Sequence, residues 1–188
     1  MMEKMLVISF YKYVKIDNLV SFQQQHLELC KNLGLKGRVY IGNEGINGTV
    51  SGKKENILKY EKELMGNKLF SNIEFKEEEV NENVFEKMFV RIRKEIVNFG
   101  LNVDISKTAP KIKPVELNKL YESDEDFIVL DVRDNYETQI GRFKNAMALD
   151  IENFRDFPSK LSEISHLKNK RIITYCTGGI RCEKASVF

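Results

Sequence analysis

The chain has 188 residues, 42% of them hydrophobic and 31% charged, with a formal net charge of +2. That length allows one large or two small domains with real cores. The small net charge does not by itself imply nucleic-acid binding, and no apolar run approaches the roughly 18 residues of a membrane span. Three cysteines, Cys30, Cys176 and Cys182, form no disulfide framework and point to a reducing, cytoplasmic setting. Together with His26 and His166 they lack metal-ligand spacing, so no metal is expected. Met1 to Phe10 carries a short apolar patch without a cleavage-like small-residue site, which argues against a leader.

Leu6 to Tyr13 reads as a strand. Asp17 is placed to cap an amphipathic helix running to about Leu33, because Leu19, Phe22, His26, Leu29 and Leu33 recur at steps of three and four. Gly34 ends it. Cys30, near the edge of that stripe, reads as a small buried hydrophobe, and His26 as a core residue. Gly37 to Ile41 is a second strand. The run Gly42-Asn43-Glu44-Gly45-Ile46-Asn47-Gly48 is rich in turn formers and leads into a further strand over Thr49 to Ser51. Two readings of this run stand. It is a hairpin loop, or it is a backbone-lined site in which Asn43, Glu44 and Asn47 bond a phosphate or a base.

Lys53 to Met65 is a second amphipathic helix, its turns marked by Ile57, Leu58, Glu61, Leu64 and Met65, and Gly66 ends it. Asn72 to Glu78 alternates as a half-exposed strand. Phe85 to Val97 reads as a long strand with Met88, Val90 and Ile92 on one face and Phe89, Arg91 and Arg93 on the other. Arg91, Arg93 and Lys94 make a basic cluster beside an aromatic ring. They are either a solvated strand face or a contact for RNA phosphates. The order strand–helix–strand–strand–helix–strand predicts a ferredoxin-like α+β domain over residues 1–105.

Gly100, Pro110 and Pro114, with Lys111 and Lys113 between them, predict a linker over residues 106–114. A second, α/β domain with a mostly parallel sheet is expected over 115–188. Pro114 suits the first turn of a helix through Tyr121. Phe127 to Asp131 is an uninterrupted apolar strand that ends in Asp131-Val132-Arg133-Asp134, where open α/β sheets place their ligands. A short strand at Ala146 to Leu149 follows, then a loose helical region from Phe154 to Leu161 with Pro158 inside it. His166 reads as a surface residue.

Ile172 to Tyr175 reads as a buried strand that delivers Cys176 at its carboxyl end. Thr177, Gly178 and Gly179 let the backbone turn, Ile180 and Arg181 complete the active-site loop, and Arg181 to Ser186 reads as the first turns of a helix. A cysteine held between a strand end and a helix start, with loop amides and the Arg181 charge nearby, is a thiolate site. The spacing Cys-x4-Arg is one residue shorter than the cradle of cysteine phosphatases and suits a persulfide better than a phosphate. Cys182 either packs in the first turn of that helix or resolves an oxidised Cys176. Asp131 and Arg133 are expected to support the loop by hydrogen bonds. The chain stops about two helical turns beyond the cysteine, so the second domain reads as incomplete.

Leu130-Asp131-Val132-Arg133, Tyr136-Glu137, Gly141-Arg142-Phe143 with Ala146, and the Cys176 loop resemble the rhodanese family. Many rhodaneses carry Gly-His-Ile where this chain has Gly141-Arg142-Phe143. Adding Gly45 to Gly52, Lys94 to Val97 and the ten residues Cys176 to Ala185, the chain resembles the bacterial tRNA uridine hydroxylase family, truncated at its carboxyl end. That resemblance implies a ferredoxin-like domain before a rhodanese domain and a further cysteine-containing segment beyond Phe188. It implies oxidation of the wobble uridine of tRNA to 5-hydroxyuridine, with dioxygen as co-substrate, Cys176 as the catalytic residue and no bound cofactor. The partner is then tRNA, and the sulfur or electron donor is unknown. Two alternatives remain at this level: a sulfurtransferase that passes persulfide sulfur to a small thiol, and a non-catalytic RNA-binding relic.

Overall fold

In β1 (Met5–Tyr13) Leu6, Ile8 and Phe10 are buried on one side, and the residues between them are half-buried. This period of two sets one face of a sheet towards a helical layer. A computed structural model describes residues 4–188. Met1 to Glu3, part of the stretch read against a leader, lie outside them. The chain divides into two units, Met1–Val97 and Asn98–Phe188.

The first unit continues with α1 (Leu19–Asn32), β2 (Lys36–Gly42), β3 (Gly45–Lys53), α2 (Lys54–Gly66), β4 (Glu74–Val80) and β5 (Met88–Ile92). Its sheet runs β4-β1-β3-β2-β5, with β5 parallel to β2 and the other neighbours antiparallel. This is the ferredoxin-like order expected, with one strand added. Asn18, not Asp17, takes the cap position of α1, and Asp17 is an exposed partner of Lys15 at 2.9 Å. Leu58 and Met65 are exposed, because α2 turns Ile57, Tyr60, Glu61 and Leu64 to the core instead. Asn43 and Glu44 form the turn between β2 and β3. Gly45 follows at φ 145°, where a Cβ would stand 2.0 Å from the Lys12 carbonyl oxygen, so only glycine fits.

The long strand expected over Phe85 to Val97 contracts to five residues. After Arg93 donates its N–H to the Ile41 carbonyl, the chain leaves the sheet and Ile96 is drawn to the β2–β3 turn. There Glu44 Oε1 accepts from Ile96 N at 2.7 Å, and Asn47 Nδ2 donates to Ile96 O at 2.8 Å. Ile96 itself is 2% exposed.

Cys30 is fully buried in this core rather than at a stripe edge, and burial pushes its thiol up to about 12. His26 Nε2 and Tyr60 Oη meet at 2.9 Å, both buried. Burial lowers the His26 pKa to about 4, so the imidazole is neutral in the fold. An unfolded histidine titrates near 6.5, so between these values only the unfolded chain takes up the proton. Stability is therefore full above about pH 6.5 and falls as pH drops towards 4, by about 2–3 kcal/mol. Urea unfolding of this unit at pH 7 and pH 4.5 checks this. The histidine's share of the loss is expected to vanish in His26→Gln.

The second unit holds α3 (Pro114–Glu122), β6 (Phe127–Asp131), α4 (Asn135–Ile140), β7 (Met147–Ala148), α5 (Phe157–Lys160), β8 (Arg171–Tyr175) and α6 (Ile180–Ala185). The strands form a parallel sheet in the order β7-β6-β8. Residues 98–113 belong to this unit and do not form a free linker. Phe99 is fully buried against Phe154, Phe157 and Phe188, with ring centroids 5.1, 6.4 and 5.7 Å away. Thr108 Oγ1 donates to the Glu183 carbonyl at 3.1 Å, and Ser186 Oγ accepts from Ala109 N at 3.1 Å. The boundary thus falls at Val97/Asn98, before the prolines that suggested it. Strand β8 is half exposed, with Ile172 at 38%, because it is the outer strand of this sheet. Among the described residues no helix is long and apolar enough to cross a membrane, and no group of three or more His, Cys, Asp or Glu side chains could hold a metal ion.

Candidate active site

The register of β6 and β8 sets Asp131 opposite Tyr175, and Val132 N donates to Tyr175 O at 3.2 Å. Two loops therefore leave the sheet side by side at its carboxyl edge, one through Arg133 and Asp134, the other through Cys176 to Gly179. Parallel sheets of this kind gather reactive groups along that edge.

Cys176 lies at the end of β8. Gly179 adopts φ 99°, a left-handed conformation that glycine takes without strain, and this turn aims its N–H at Cys176 Sγ at 3.0 Å. Helix α6 starts at the next residue and brings Cys182 back to the sulfur. The Cys182 thiol donates to Cys176, and that bond is the largest contribution lowering the Cys176 pKa. Burial opposes it, while the amides of Cys182 and Gly179 and the Arg181 charge reinforce it. The result is a thiol brought down to about 5, which is a thiolate at neutral pH. The same bond, followed by burial, pushes Cys182 far up, so it stays protonated. Cys182 is the thiol donor facing the Cys176 anion. Removing it with Cys182→Ala is expected to raise the pH midpoint of Cys176 alkylation by iodoacetamide by one unit or more. Peptide mass spectrometry across a pH series checks this, and an unmoved midpoint would contradict it.

Arg181 does not stand free over the loop. Its Nη1 and Nη2 grip Glu137 Oε2 and Oε1 at 2.5 and 2.8 Å, and Nη2 also reaches Thr177 Oγ1 at 3.2 Å. Thr177 Oγ1 donates to Glu137 Oε1 at 2.5 Å. Asp134 lies 3.5 Å from Arg181 Nη1. Burial raises the Glu137 pKa, but its bonds from Arg181 and Thr177 outweigh that and hold it below the usual carboxylate range. Paired forks of this kind fix both partners in orientation. Glu137 sits in the first turn of α4, where it also accepts from Asp134 N at 3.3 Å. Sequence reasoning noted Glu137 only among the residues resembling rhodaneses. The spacing Asp134-x-x-Glu137 after a strand end is a capping-box signal and could have located it.

Asp131 and Arg133 support the neighbouring loop more than the cysteine loop. Asp131, fully buried, accepts from Arg133 Nε at 2.9 Å, Arg133 Nη2 at 2.7 Å, Arg133 N at 3.0 Å and Tyr175 Oη at 2.5 Å. Arg133 Nη2 continues to the Gly141 carbonyl at 2.6 Å, and its guanidinium lies 5.1 Å over the Tyr175 ring. Phe143 packs edge-on against Tyr175 at 4.7 Å. The cluster fixes Tyr175, the residue before Cys176, and so sets where the sulfur leaves the strand.

The remaining expected residues belong to the first unit. Arg91, Arg93 and Lys94 are exposed. Asn43, Glu44 and Asn47 are engaged internally: Asn43 Nδ2 donates to Ile16 O at 3.3 Å, and the other two hold Ile96. Of the two readings of that run, the hairpin is the one built.

A thiolate at the carboxyl end of a parallel strand, met by the amides of Gly179 and Cys182, a second thiol and a clamped arginine, defines a thiolate-loop α/β domain, here joined to a ferredoxin-like domain. Residues 113–188 match the rhodanese-like domain, and residues 5–96 match the UPF0176 acylphosphatase like domain. The two matches follow one another along the chain, the acylphosphatase like domain first and the rhodanese-like domain second. It is 46% identical over 184 residues to a tRNA uridine(34) hydroxylase of Cytophaga hutchinsonii, covering 97% of this chain and 59% of that protein. It is 44% identical over 189 residues to the protein of that name from Streptococcus suis, covering 96% and 58%. The chain thus spans less than two thirds of the length of these curated relatives. Among solved structures, the BLUF protein BlrB in its dark state overlaps 49% of this chain and 74% of its own, with TM-score 0.42 and 14% identity, too loose a likeness to carry an argument.

Proposed function

We propose that this chain acts in the hydroxylation of uridine 34 in tRNA, converting the base to 5-hydroxyuridine with dioxygen as co-substrate and Cys176 as the reacting thiolate. The observation that carries this reading is the Cys176 site itself, a sulfur anion with its donors in place, in a chain whose curated relatives bear that activity in their name. Inserting one oxygen atom of dioxygen at C5 leaves the other to be reduced to water by two electrons and two protons, and a thiolate is the most readily oxidised group the site holds as an electron source. Thr177, Gly178, Gly179 and Ile180 make the turn, from which the Gly179 amide meets the sulfur beside the Cys182 amide; Arg181 adds positive charge, and Glu137 fixes Arg181. Asp131 and Arg133 position Tyr175 beneath the cysteine. The test is mass spectrometry of tRNA nucleosides from a strain deleted for its own hydroxylase and supplied with this chain. Return of 5-hydroxyuridine supports the reading, and its absence, with the chain folded and expressed, counts against it.

The rhodanese-like match and the short Cys176–Arg181 loop favour one second reading, a sulfurtransferase that carries sulfur as a Cys176 persulfide. Turnover of thiosulfate to a thiol acceptor, with tRNA left unmodified, would select it.

A further inference from the structure

The first unit carries its helices against one face of the sheet, and the opposite face near β5 bears an ordered set of cationic and aromatic side chains. On β2, Val39 and Ile41 are fully buried, so Arg38 and Tyr40 point the other way. On β5, Val90 is 6% exposed, so Phe89 and Arg91 share that outward face. The parallel register sets Arg38 beside Phe89 and Tyr40 beside Arg91. Arg91 lies 5.0 Å over the Phe89 ring, and Arg93 lies 5.5 Å over the Tyr40 ring. Among the described residues Arg38, Arg91 and Arg93 have no ion-pair partner, although the protein has nearly as many acidic as basic residues. Phe89 is 39% exposed, a large ring left to solvent on a strand. Beside it opens a groove of about 420 Å³ lined by Arg38, Val84, Phe85, Glu86, Lys87 and Phe89, with a single carboxylate among them.

Solvation alone accounts for arginines on a strand face, but not for three unpaired arginines interleaved with rings at registered positions. Guanidinium groups held over rings are pre-ordered for phosphate, and an exposed ring on a sheet is a stacking platform for an unpaired base. Single-stranded RNA is read in this way on open sheets, where bases splay onto aromatic side chains and phosphates meet arginine.

We infer that this face binds unpaired nucleotides of the RNA substrate, with a base stacked on Phe89, a second base against Tyr40, and phosphates held by Arg38, Arg91 and Arg93. The inference rests on the RNA-modifying reading given above and assigns to it a surface on the unit that lacks the cysteine. The occupant is a single-stranded loop, because a duplex hides its base faces inside the stack and cannot use Phe89.

The probe is a fluorescein-labelled 17-nucleotide anticodon stem-loop, titrated with the full 188-residue chain and followed by anisotropy at several salt concentrations. Phe89→Ala is expected to weaken binding about 5- to 100-fold, the range of one lost base stack. Arg91→Ala is expected to weaken it less and to lower the salt slope by about one. Arg91→Lys keeps the charge, and with it the slope, but not the fork. Circular dichroism melts confirm that each variant is folded. An unlabelled loop should compete, and a fully paired duplex of equal length should not. If the wild-type chain binds the loop but Phe89→Ala and Arg91→Ala bind it equally well, this surface is wrong and the RNA-modifying reading stands. Equal competition by duplex likewise overturns the surface. If the wild-type chain does not bind the loop at all, the surface falls, and the RNA-modifying reading is then decided separately by the nucleoside assay.

Discussion

Replacing Cys176 with serine is expected to lower turnover by on the order of 10⁴-fold or more, a loss typical of removing a reacting nucleophile. The reason lies in the site's electrostatics. Everything around this sulfur is arranged to stabilise an anion: the Cys182 thiol, the amides of Cys182 and Gly179, and the Arg181 charge. A serine hydroxyl in the same place would remain neutral at any working pH, so the donors would face an uncharged group. Its oxygen also cannot carry an extra sulfur or pass through the reversible oxidation states open to a thiolate. The fold should tolerate the change, because serine is similar in size. The nucleoside assay reads the loss directly, and retained 5-hydroxyuridine in the serine variant would remove Cys176 from the reaction.

Replacing Asp131 with alanine is expected to destabilise the second unit by about 3–5 kcal/mol, the cost of stranding a buried charge partner. Asp131 has no exposed surface and accepts bonds from Arg133 and Tyr175. Without it the Arg133 side chain, only 16% exposed, keeps its charge and loses its counter-ion. For a unit of this size the melting temperature should fall by at least about 10 °C. Asp131→Asn keeps an acceptor and should lose less. The pH dependence follows from the same contacts. Burial raises the Asp131 pKa, but the bonds from Arg133 and Tyr175 hold it below the ordinary carboxylate value. Its stabilising share is therefore present above about pH 4 and is lost as the solution is acidified through the folded pKa. An unchanged melting temperature in Asp131→Ala would show that the cluster is ornamental.

The ferredoxin-like order was legible in the sequence because each of its elements announces itself locally. Leu6, Ile8 and Phe10 alternate, Phe22, His26 and Leu29 recur at helical spacing, and Gly45 marks a turn that no other residue fits. The cysteine loop was legible for a similar reason, since Gly178, Gly179 and Arg181 follow Cys176 within a few residues. What remained hidden depends on distant partners. Nothing near Arg181 in the chain tells that Glu137, 44 residues earlier, clamps it. Pro110 and Pro114 look like linker residues in the sequence, while the residue that anchors the segment before them is Phe99. Its aromatic partners lie between Phe154 and Phe188. Glu44 and Asn47 could be read as ligand-binding because their polar types suit a ligand and a backbone segment equally well, and Ile96 is the segment they hold.

The site stands on Cys176 being a thiolate at neutral pH, with the bond from Cys182 as the largest of the contributions that lower its pKa. The most direct measurement is the rate of iodoacetamide alkylation at Cys176 from pH 4 to pH 10, resolved from Cys30 and Cys182 by peptide mass spectrometry. The expected profile rises with a midpoint near pH 5. A midpoint near the ordinary thiol value of about 8.5 would contradict the account, because the sulfur would then be neutral where the site is built to hold a charge.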